Sequence, residues 1–270
     1  MSASDKVFAG SIPKFYDDYL VPLIFVGFAE NLAQKVASFS PAAVLETAAG
    51  TGVVTRALAA KLASDARYVV TDLNQPMLDH AAHLQGEDRR IIWQQADALA
   101  LPFPDAQFDV VCCQFGVMFF PDRTKGYLEA HRVLRSGGRL VFNVWDRIED
   151  NVFANVVTVA LAEVFPDDPP RFLARTPHGY YDETLIEDEL RSAGFSDVAI
   201  DKRSEQSRAP SAQHPAVAYC QGTPLRNEIE ARGPGSLQAA TDHAAAAIAK
   251  VHGSGEVTAK IQGLVIVATK

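Results

Sequence analysis

The stretch VLETAAGTGVVTR, residues 44–56, decides the fold of this chain. Its apolar beginning is typical of a short buried strand, and the run from Val53 onward favours a helix. Gly50 and Gly52 lie between them, and a Gly-x-Gly at a strand-to-helix turn lets a ligand approach the backbone closely. Glu46 places a carboxylate at the end of the strand. The stretch therefore predicts a strand, a ligand-binding turn and a helix in succession.

Strand-like and helix-like segments alternate on either side of this unit. Strands are predicted at 42–46, 67–72, 90–97, 107–115 and 139–146, helices at 52–63, 75–84 and 123–135, and a glycine turn at 136–138. Helices of roughly ten residues between strands indicate βαβ units and a mainly parallel sheet. Right-handed crossovers then give a doubly wound α/β fold.

The second half of the chain is less regular. The pattern predicts helices at 151–165 and 182–195, a Pro-rich loop at 166–183, a strand at 197–205, two helices within 211–250 and a final strand at 258–270.

Composition narrows the class of protein. The 270 residues are 48% hydrophobic, enough for a buried core, and carry a formal net charge of −8. An acidic chain is poorly suited to binding the phosphate backbone of a nucleic acid, so we expect no nucleic-acid partner.

The cysteines and the N-terminal region indicate a cytoplasmic protein. Cys112, Cys113 and Cys220 lack framework or zinc-type spacing, which is typical of reduced thiols, and no metal site is expected. The apolar run at 19–29 is interrupted by Pro22 and is too short to span a bilayer. We therefore expect no transmembrane segment and interpret this run as a covering helix.

The ligand of the glycine turn can be narrowed by its neighbours. No Gly-Lys-Ser/Thr follows the glycines, which excludes a P-loop. A dinucleotide fingerprint would place a third glycine where Thr55 stands. The carboxylate of Glu46 would repel a pyrophosphate but suits a ligand with a cation, such as the amino group of an amino acid. S-adenosylmethionine carries an ammonium and a sulfonium and has no phosphate.

Two further carboxylates are predicted at the ends of the next strands. Asp72 lies 20 residues beyond Gly52. An acid at this place can accept hydrogen bonds from both ribose hydroxyls of a dinucleotide or of S-adenosylmethionine. Asp97 and the backbone N–H of Ala98 suit the edge of an adenine ring. Alone, each carboxylate is equally consistent with a helix cap or a solvated strand end. Together with Glu46 they predict a ligand site at the carboxyl edge of the sheet.

The region 42–146 resembles the class I S-adenosylmethionine-dependent methyltransferases of the ubiquinone/menaquinone type. The motifs that carry the resemblance are VLETAAGTG, VVTDLNQPML, QADALALPFPDAQFDVV and EAHRVLRSGGRLVF. It implies an enzyme with a seven-stranded, mainly parallel sheet, an antiparallel last strand and helical cap elements. It also implies cofactor contacts by Glu46, Ala48, Gly50, Gly52, Asp72, Leu73, Met77, Asp97, Ala98 and Gln114. Tyr19, in the N-terminal segment, is expected to reach the methionine end of the cofactor as part of a cover. One departure is that Ala48 stands where the family often has glycine.

The acceptor side is less defined by the sequence. We predict an N-terminal helical cover at 1–40, the cofactor-binding half at 41–146, and acceptor-side helices and C-terminal strands at 147–270 of the same domain. His178 and Tyr181 are candidate catalytic groups, His178 as a base with a pKa near the working pH. The alternatives are that His178 caps a loop and that Tyr181, like Tyr19, only packs a lid. The apolar helices favour O- or C-methylation of a phenol, quinone precursor or lipid-like acceptor.

Other functions remain open from the sequence. A non-catalytic partner subunit of the same fold would be expected to lose the cofactor residues, which are intact here. A nicotinamide oxidoreductase is opposed by Thr55 and Glu46, and an aminopropyl transferase by the apolar cap. The acceptor atom and the oligomeric state stay undetermined.

Overall fold

A single sheet organises the residues that the computed structural model describes, 15–233 and 235–270. Within them, seven strands pair in the order β3-β2-β1-β4-β5-β7-β6. Their bounds are β1 Ala43–Glu46, β2 Arg67–Asp72, β3 Ile91–Gln95, β4 Phe108–Gln114, β5 Leu134–Trp145, β6 Val198–Ala209 and β7 Val257–Thr269.

The direction of the strands confirms the predicted fold class. Strands β1 to β5 pair in parallel. The N–H of Gly137 donates to the carbonyl of Lys270, and the N–H of Asp146 donates to that of Gln262. These pairs run in opposite senses along the two strands, so β7 is antiparallel to β5. The sheet is therefore doubly wound and mainly parallel, with an antiparallel last strand.

Helices connect the strands of this sheet. Their bounds are α1 Tyr16–Phe25, wound as a π-helix, then α2 Val26–Ala37, α3 Val53–Ala59, α4 Gln75–Gln85, α5 Arg123–Val133, α6 Val152–Val164, α7 Phe172–Arg175, α8 Glu183–Ser192, α9 Gln213–Gln221, α10 Leu225–Glu230 and α11 Ser236–His252. Short 3-10 turns occur at Val117–Phe119 and Ile148–Asp150. Capping side chains set two of the starts: Asp122 accepts from the N–H of Lys125, and Asp182 from that of Thr184.

Three local predictions are wrong. The glycines at 136–138 do not form a separate turn, because α5 ends at Val133 and β5 begins at Leu134. Residues 137 and 138 pair with Lys270, and this pairing extends β5 through the glycines. The predicted Pro-rich loop contains α7, and the region predicted to hold two helices holds three. The hydroxyl of Thr223 accepts from the N–H of Leu225, a local bond that separates α9 from α10.

The chain divides into two compact units. The motif unit comprises Gly27–Val144, Tyr181–Arg203 and Leu264–Lys270. Its core brings the buried faces of α2, α3 and α4 onto β1, β2 and β4 through residues such as Leu32, Leu58 and Leu78. Burial of these apolar side chains positions the carboxyl ends of β1, β2 and β4.

The helical unit comprises Trp145–Tyr180, Ser204–Gly263 and, of the described N-terminal residues, 15–26. Helix α11 packs on α6 and α9, and α9 also packs on α1. Small and apolar residues fill these contacts, including Ala216, Ala244 and Ile248. The boundaries predicted at residues 40 and 146 stay a prediction, and residues 1–14 of the predicted cover lie outside the described residues.

Helices α1 and α2 form one apolar run, Tyr16–Ala37. By length and composition alone this run of 22 residues is long enough to cross a membrane, and about half of it is buried inside the protein. The expected absence of a transmembrane segment stays a prediction.

Candidate active site

Residues with positive φ build the turn after β1. The φ angle is 51° at Ala48, 56° at Gly50 and 78° at Gly52. A Cβ added at Gly50 would meet no described atom within 4 Å, whereas one at Gly52 would lie 2.9 Å from the Cβ of Ala81. Gly52 therefore permits close packing of the turn on α4, and Gly50 leaves the backbone open to a ligand.

Ala48 is the departure from the family pattern noted in the sequence. Its left-handed backbone costs an alanine about 1 kcal/mol relative to glycine. The Cβ of Ala48 lies 2.7 Å from the point that a Cβ on Gly116 would occupy. The Sγ of Cys113 lies at the same distance, so the methyl group of Ala48 and this sulfur together fill the space that the missing side chain of Gly116 leaves.

Asp72 ties the glycine turn to the end of β2. Its Oδ2 accepts from the N–H of Gly50 and its Oδ1 from the N–H of Asn74, both at 2.8 Å. Burial raises the pKa of Asp72, and the backbone donors of Asn74 and Gly50 partly oppose that rise. Oδ1 also accepts from the Nδ2 of Asn74, at 3.5 Å, whereas Oδ2 keeps a second lone pair that a ribose hydroxyl can use.

Glu46 ends β1 inside the motif unit and is only 2% exposed. Its Oε2 accepts a hydrogen bond from the hydroxyl of Thr55 at 2.8 Å and another from the hydroxyl of Tyr68. Burial raises the pKa of Glu46 to about 7, although both hydroxyls act to lower it. The carboxyl is thus close to half ionised at neutral pH. Its attraction to a cationic ligand stays a prediction.

Tyr68 and Thr55 are missing from the predicted site. A sequence signal for Tyr68 exists, because a tyrosine in an otherwise apolar strand needs a hydrogen-bond partner when it is buried. Glu46 lies on the neighbouring strand, and Val44 of that strand pairs with Tyr68 in the register. Thr55 draws attention in the sequence only as the residue that replaces a glycine.

Asp97 and Ala98 lie beyond the end of β3. The strand ends at Gln95, and Asp97 forms an isolated bridge with Ala100. Asp97 is exposed, and its Oδ1 accepts from the N–H of Leu99 at 2.9 Å. Ala98 borders a small cavity whose other lining residues are mostly apolar: Thr47, Leu101, Val111, Cys113, Val117, Phe120, Gly126, Tyr127, Ala130 and Leu140. This cavity has room for about one water molecule and not for a ring. The exposed carboxylate of Asp97 is the part of this region that suits the amino group of an adenine.

Gln114 ends β4 and is held by a residue that the sequence prediction omits. The Nδ2 of Asn143 donates to the Oε1 of Gln114 at 3.4 Å. The Oδ1 of Asn143 accepts from the N–H of Phe115 at 3.0 Å, where φ is 48°. Asn143 is fully buried on β5, so its amide fixes the turn after β4. Of the remaining predicted contacts, Leu73 is exposed after Asp72 and Met77 is buried on α4.

His178 lies in the helical unit and is 4% exposed. Its Nδ1 lies 2.9 Å from the backbone oxygen of Asp146, so we assign the proton to Nδ1 and a lone pair to Nε2. Burial lowers the pKa of His178 to about 4, which differs from the value near the working pH expected from the sequence. Sequence patterns do not reveal that burial. The role of His178 as a base stays a prediction.

Hydrogen bonds fix the backbone that His178 contacts. The carboxylate of Asp146 accepts from the Nε2 of Gln262 at 2.7 Å and from the N–H of Arg147 at 2.8 Å. The amide of Asn151 donates to the backbone oxygens of Asp146 and Gln262. This arrangement keeps the carbonyl of Asp146 in place for the imidazole.

The predicted residues are distributed over both units. Glu46, Ala48, Gly50, Gly52 and Asp72 come together at the carboxyl ends of β1 and β2 in the motif unit. Tyr181 also belongs to the motif unit and is 45% exposed.

Tyr19 belongs, with His178, to the helical unit. The ring of Tyr19 lies 4.8 Å from that of His214. Among the residues described, no three His, Cys, Asp or Glu side chains are grouped as a metal site.

The motif unit offers groups that match an aminoacyl nucleoside. The space where a Cβ on Gly50 would stand is open to 4 Å among the described atoms, and the buried Oγ1 of Thr51 has no hydrogen-bond partner in the described part of the chain. The carboxyl groups of Glu46, Asp72 and Asp97 follow three adjacent strands. These residues fit S-adenosylmethionine, whose ammonium, ribose hydroxyls and adenine amino group each need an acceptor.

Comparison with known proteins agrees with this geometry. Residues 45–142 match the methyltransferase domain family. A demethylmenaquinone methyltransferase of Deinococcus radiodurans is 34% identical over 169 residues, which are 61% of this chain and 69% of the relative. A ubiquinone/menaquinone biosynthesis C-methyltransferase of Marinomonas sp. is 29% identical over 165 residues, 56% of this chain and 65% of the relative.

A solved structure shares the fold. An S-adenosylmethionine-dependent methyltransferase of Thermotoga maritima superposes with a TM-score of 0.54 at 16% identity, and the match covers 96% of this chain and 98% of the other. Motifs, sheet topology and relatives agree. The chain therefore belongs to the S-adenosylmethionine-dependent methyltransferases, in the family that includes the demethylmenaquinone methyltransferases.

Proposed function

We propose that this enzyme methylates a ring carbon of a small, partly hydrophobic acceptor of the quinol type. The observation that carries the proposal is the similarity to relatives named as demethylmenaquinone methyltransferase and C-methyltransferase. Methylation of a hydroxyl oxygen on a phenol or lipid-like acceptor is the second form of the same proposal. We place the reaction in the cytoplasm, with no nucleic-acid partner.

The cofactor-binding residues are assigned as the resemblance implies. Glu46 faces the ammonium, the backbone at Gly50 and Gly52 lies along the amino-acid part, and Asp72 accepts the ribose hydroxyls. The remaining contacts come from Tyr19, Ala48, Leu73, Met77, Asp97, Ala98 and Gln114. In support, Asp72 already bonds the N–H of Gly50, so one carboxylate orders both the turn and the ribose position.

The chemistry is an in-line displacement at the methyl carbon of the sulfonium. The carbon–sulfur bond breaks as a carbon–carbon or carbon–oxygen bond forms, and its electron pair stays on the sulfur. The acceptor then loses one proton. The protein's contribution is to align the acceptor and exclude water, with a base where the acceptor needs one.

His178 and Tyr181 are the proposed groups for the proton. With Nδ1 donating to Asp146, His178 presents its Nε2 lone pair at neutral pH. Its pKa of about 4 makes it a weak base, so it can take the proton of a phenol or quinol, whose own pKa is about 10, only once methyl transfer has made that proton acidic. Tyr181 is the exposed alternative.

Apolar helices support a hydrophobic acceptor. Helix α6 buries Phe153, Val157 and Leu161 in the helical unit. Helices α9 and α11 bury alanines in that unit together with larger side chains such as Tyr219 and Ile248. Such a surrounding accommodates a ring or a prenyl chain better than a polyamine.

The test is a transfer assay with radiolabelled methyl donor and a panel of acceptors. Reduced demethylated naphthoquinol should gain one methyl group on a ring carbon, whereas phenols and lipids should gain less or none. The variant Asp72→Asn keeps the shape of the side chain but removes its charge. Its turnover at low cofactor concentration should be about 100-fold lower than that of wild type, as expected for the loss of a charged hydrogen bond.

Two results would change the proposal. Label on oxygen in the product would replace C-methylation by O-methylation. Tight cofactor binding without transfer to any member of the panel would favour the non-catalytic partner subunit.

A further inference from the structure

The buried carboxyl of Glu46 raises a physical question. A carboxylate that is 2% exposed loses the water that normally stabilises its charge. Its proposed partner, the cofactor's ammonium, is present only in the complex. In the free enzyme the protein itself has to support this group.

Hydroxyl donors from two elements provide that support. Tyr68 on β2 and Thr55 on α3 both donate to the same oxygen, Oε2. Tyr68 is fully buried, and burial together with the neighbouring Glu46 raises the pKa of its phenol well above the usual value. The phenol therefore stays protonated and remains a donor at every working pH.

Other groups around Glu46 do not replace these donors. From β2, Asp72 adds a second carboxylate, which disfavours ionisation of Glu46. From β4, Cys112 and Cys113 are buried thiols whose pKa values are raised by burial, so both are neutral. From α3, Arg56 favours ionisation less than either hydroxyl does, and its Nη1 donates to the backbone oxygen of Thr51.

We propose that Tyr68 is a positioning residue for cofactor binding: with Thr55 it holds the Glu46 carboxyl and keeps that buried group able to ionise when the ligand's ammonium arrives. The inference rests on the proposed contact between Glu46 and the cofactor. Tyr68 itself touches Glu46 and not the ligand. Binding of the ligand then releases a proton from the fraction of enzyme in which Glu46 is protonated.

The test compares dissociation constants for S-adenosylhomocysteine, measured by calorimetric titration at pH 6, 7 and 8. Tyr68→Phe removes one donor to the charged form, so the Glu46 carboxyl should ionise only at higher pH. If its pKa rises by about one unit, Tyr68→Phe should bind about tenfold more weakly than wild type at pH 6, and only about twofold more weakly at pH 8. The ligand's own amino group titrates equally with the variant and with wild type, so the ratio of their two dissociation constants reports on Glu46 alone.

Controls separate positioning from general loosening. Thr55→Val is the second variant, in case Tyr68→Phe does not fold, and it should show the same trend with a smaller ratio. Thr71→Val is the matched control, because the hydroxyl of Thr71 donates to the backbone oxygen of Glu46 and not to its carboxyl. The ratio of the dissociation constant of Thr71→Val to that of wild type should not change with pH.

Each outcome bears on a separate claim. A ratio near one at every pH, or a loss of affinity that is the same at every pH, would overturn the role of Tyr68. Absence of binding to the wild-type enzyme would instead overturn the proposed cofactor site. If Glu46→Gln binds as tightly as wild type, with the same pH dependence, the contact between Glu46 and the ammonium would be wrong.

Discussion

Glu46 in the motif unit and His178 in the helical unit of this methyltransferase are both buried, and burial shifts their pKa values in opposite directions. Glu46 in the motif unit has its pKa raised to about 7, and His178 in the helical unit has its pKa lowered to about 4. Loss of water disfavours the charged form of each group. That form is the carboxylate for Glu46 and the imidazolium for His178. Both groups are therefore shifted toward neutrality.

The hydrogen-bond partners of the two groups differ. Glu46 accepts from two hydroxyls, which favour the charge that burial opposes. His178 contacts the backbone oxygen of Asp146 through Nδ1, an arrangement available to the neutral ring. The motif unit thus keeps its buried group close to ionisation, whereas the helical unit keeps its own far from it. This difference suits an electrostatic role for Glu46 and a proton-accepting or structural role for His178.

The largest expected effect concerns His178 at acid pH. Its pKa is about 4 in the folded protein and near 6.5 when unfolded, so below pH 6.5 the unfolded chain binds more protons. Wild type should therefore lose about 3 kcal/mol of unfolding free energy from this group as the pH falls from 7 to 4. His178→Asn, which retains a donor for Asp146, should lack that loss. Urea unfolding at a series of pH values measures the difference.

An equal pH dependence of wild type and His178→Asn would contradict this. It would mean that His178 protonates in the folded state near its ordinary pKa, and the contrast with Glu46 would disappear.

A smaller effect of opposite sign is expected for Glu46. Its folded pKa of about 7 exceeds the unfolded value near 4.5, so the folded protein binds more protons between these values. The group's contribution to stability is present below pH 4.5 and is lost as the pH rises through 7. Glu46→Gln should therefore be more stable than wild type at pH 8. The gain in unfolding free energy should be only about 1–2 kcal/mol, because the amide adds a donor that needs a partner. Little difference is expected at pH 4.

Thermal and urea unfolding at pH 4 and pH 8 check this prediction. If Glu46→Gln is less stable than wild type at pH 8, the hydroxyl bonds outweigh the burial of the charge, and Glu46 is a structural carboxylate.

The smallest effect concerns the surroundings of His178. Glu149 is exposed and weakly favours the protonated imidazole. Glu149→Gln should move the acid transition assigned to His178 to lower pH by only about 0.3 unit at low ionic strength, and 1 M salt should abolish the shift. Nuclear magnetic resonance titration of the His178 ring measures it. A shift that persists in high salt would indicate a structural change in place of a screened charge.

Sequence patterns were sufficient for the parts of the site that depend on strand order. Glu46, Gly50, Gly52 and Asp72 follow buried strands, and parallel strands bring their carboxyl ends to one edge. Apolar periodicity and glycine spacing locate such residues without knowledge of the packing.

Contacts between side chains distant in sequence were not predictable in this way. Tyr68 meets Glu46, and Asn143 meets Gln114, across the sheet through polar groups buried among apolar ones. The burial of His178, which determines its pKa, depends on how the less regular second half folds. The extent of β5 likewise depends on its pairing with Lys270 at the end of the chain.

The contact between Ala48 and Gly116 has a consequence for how this enzyme can evolve. A Cβ at position 116 would lie 2.7 Å from both the Cβ of Ala48 and the Sγ of Cys113. Removal of the side chain at 48 is therefore necessary, though not sufficient, before 116 can carry one, and the effect of a substitution at 116 depends on the residue at 48. The two positions are therefore epistatic, and the order in which substitutions arise decides which of them survive.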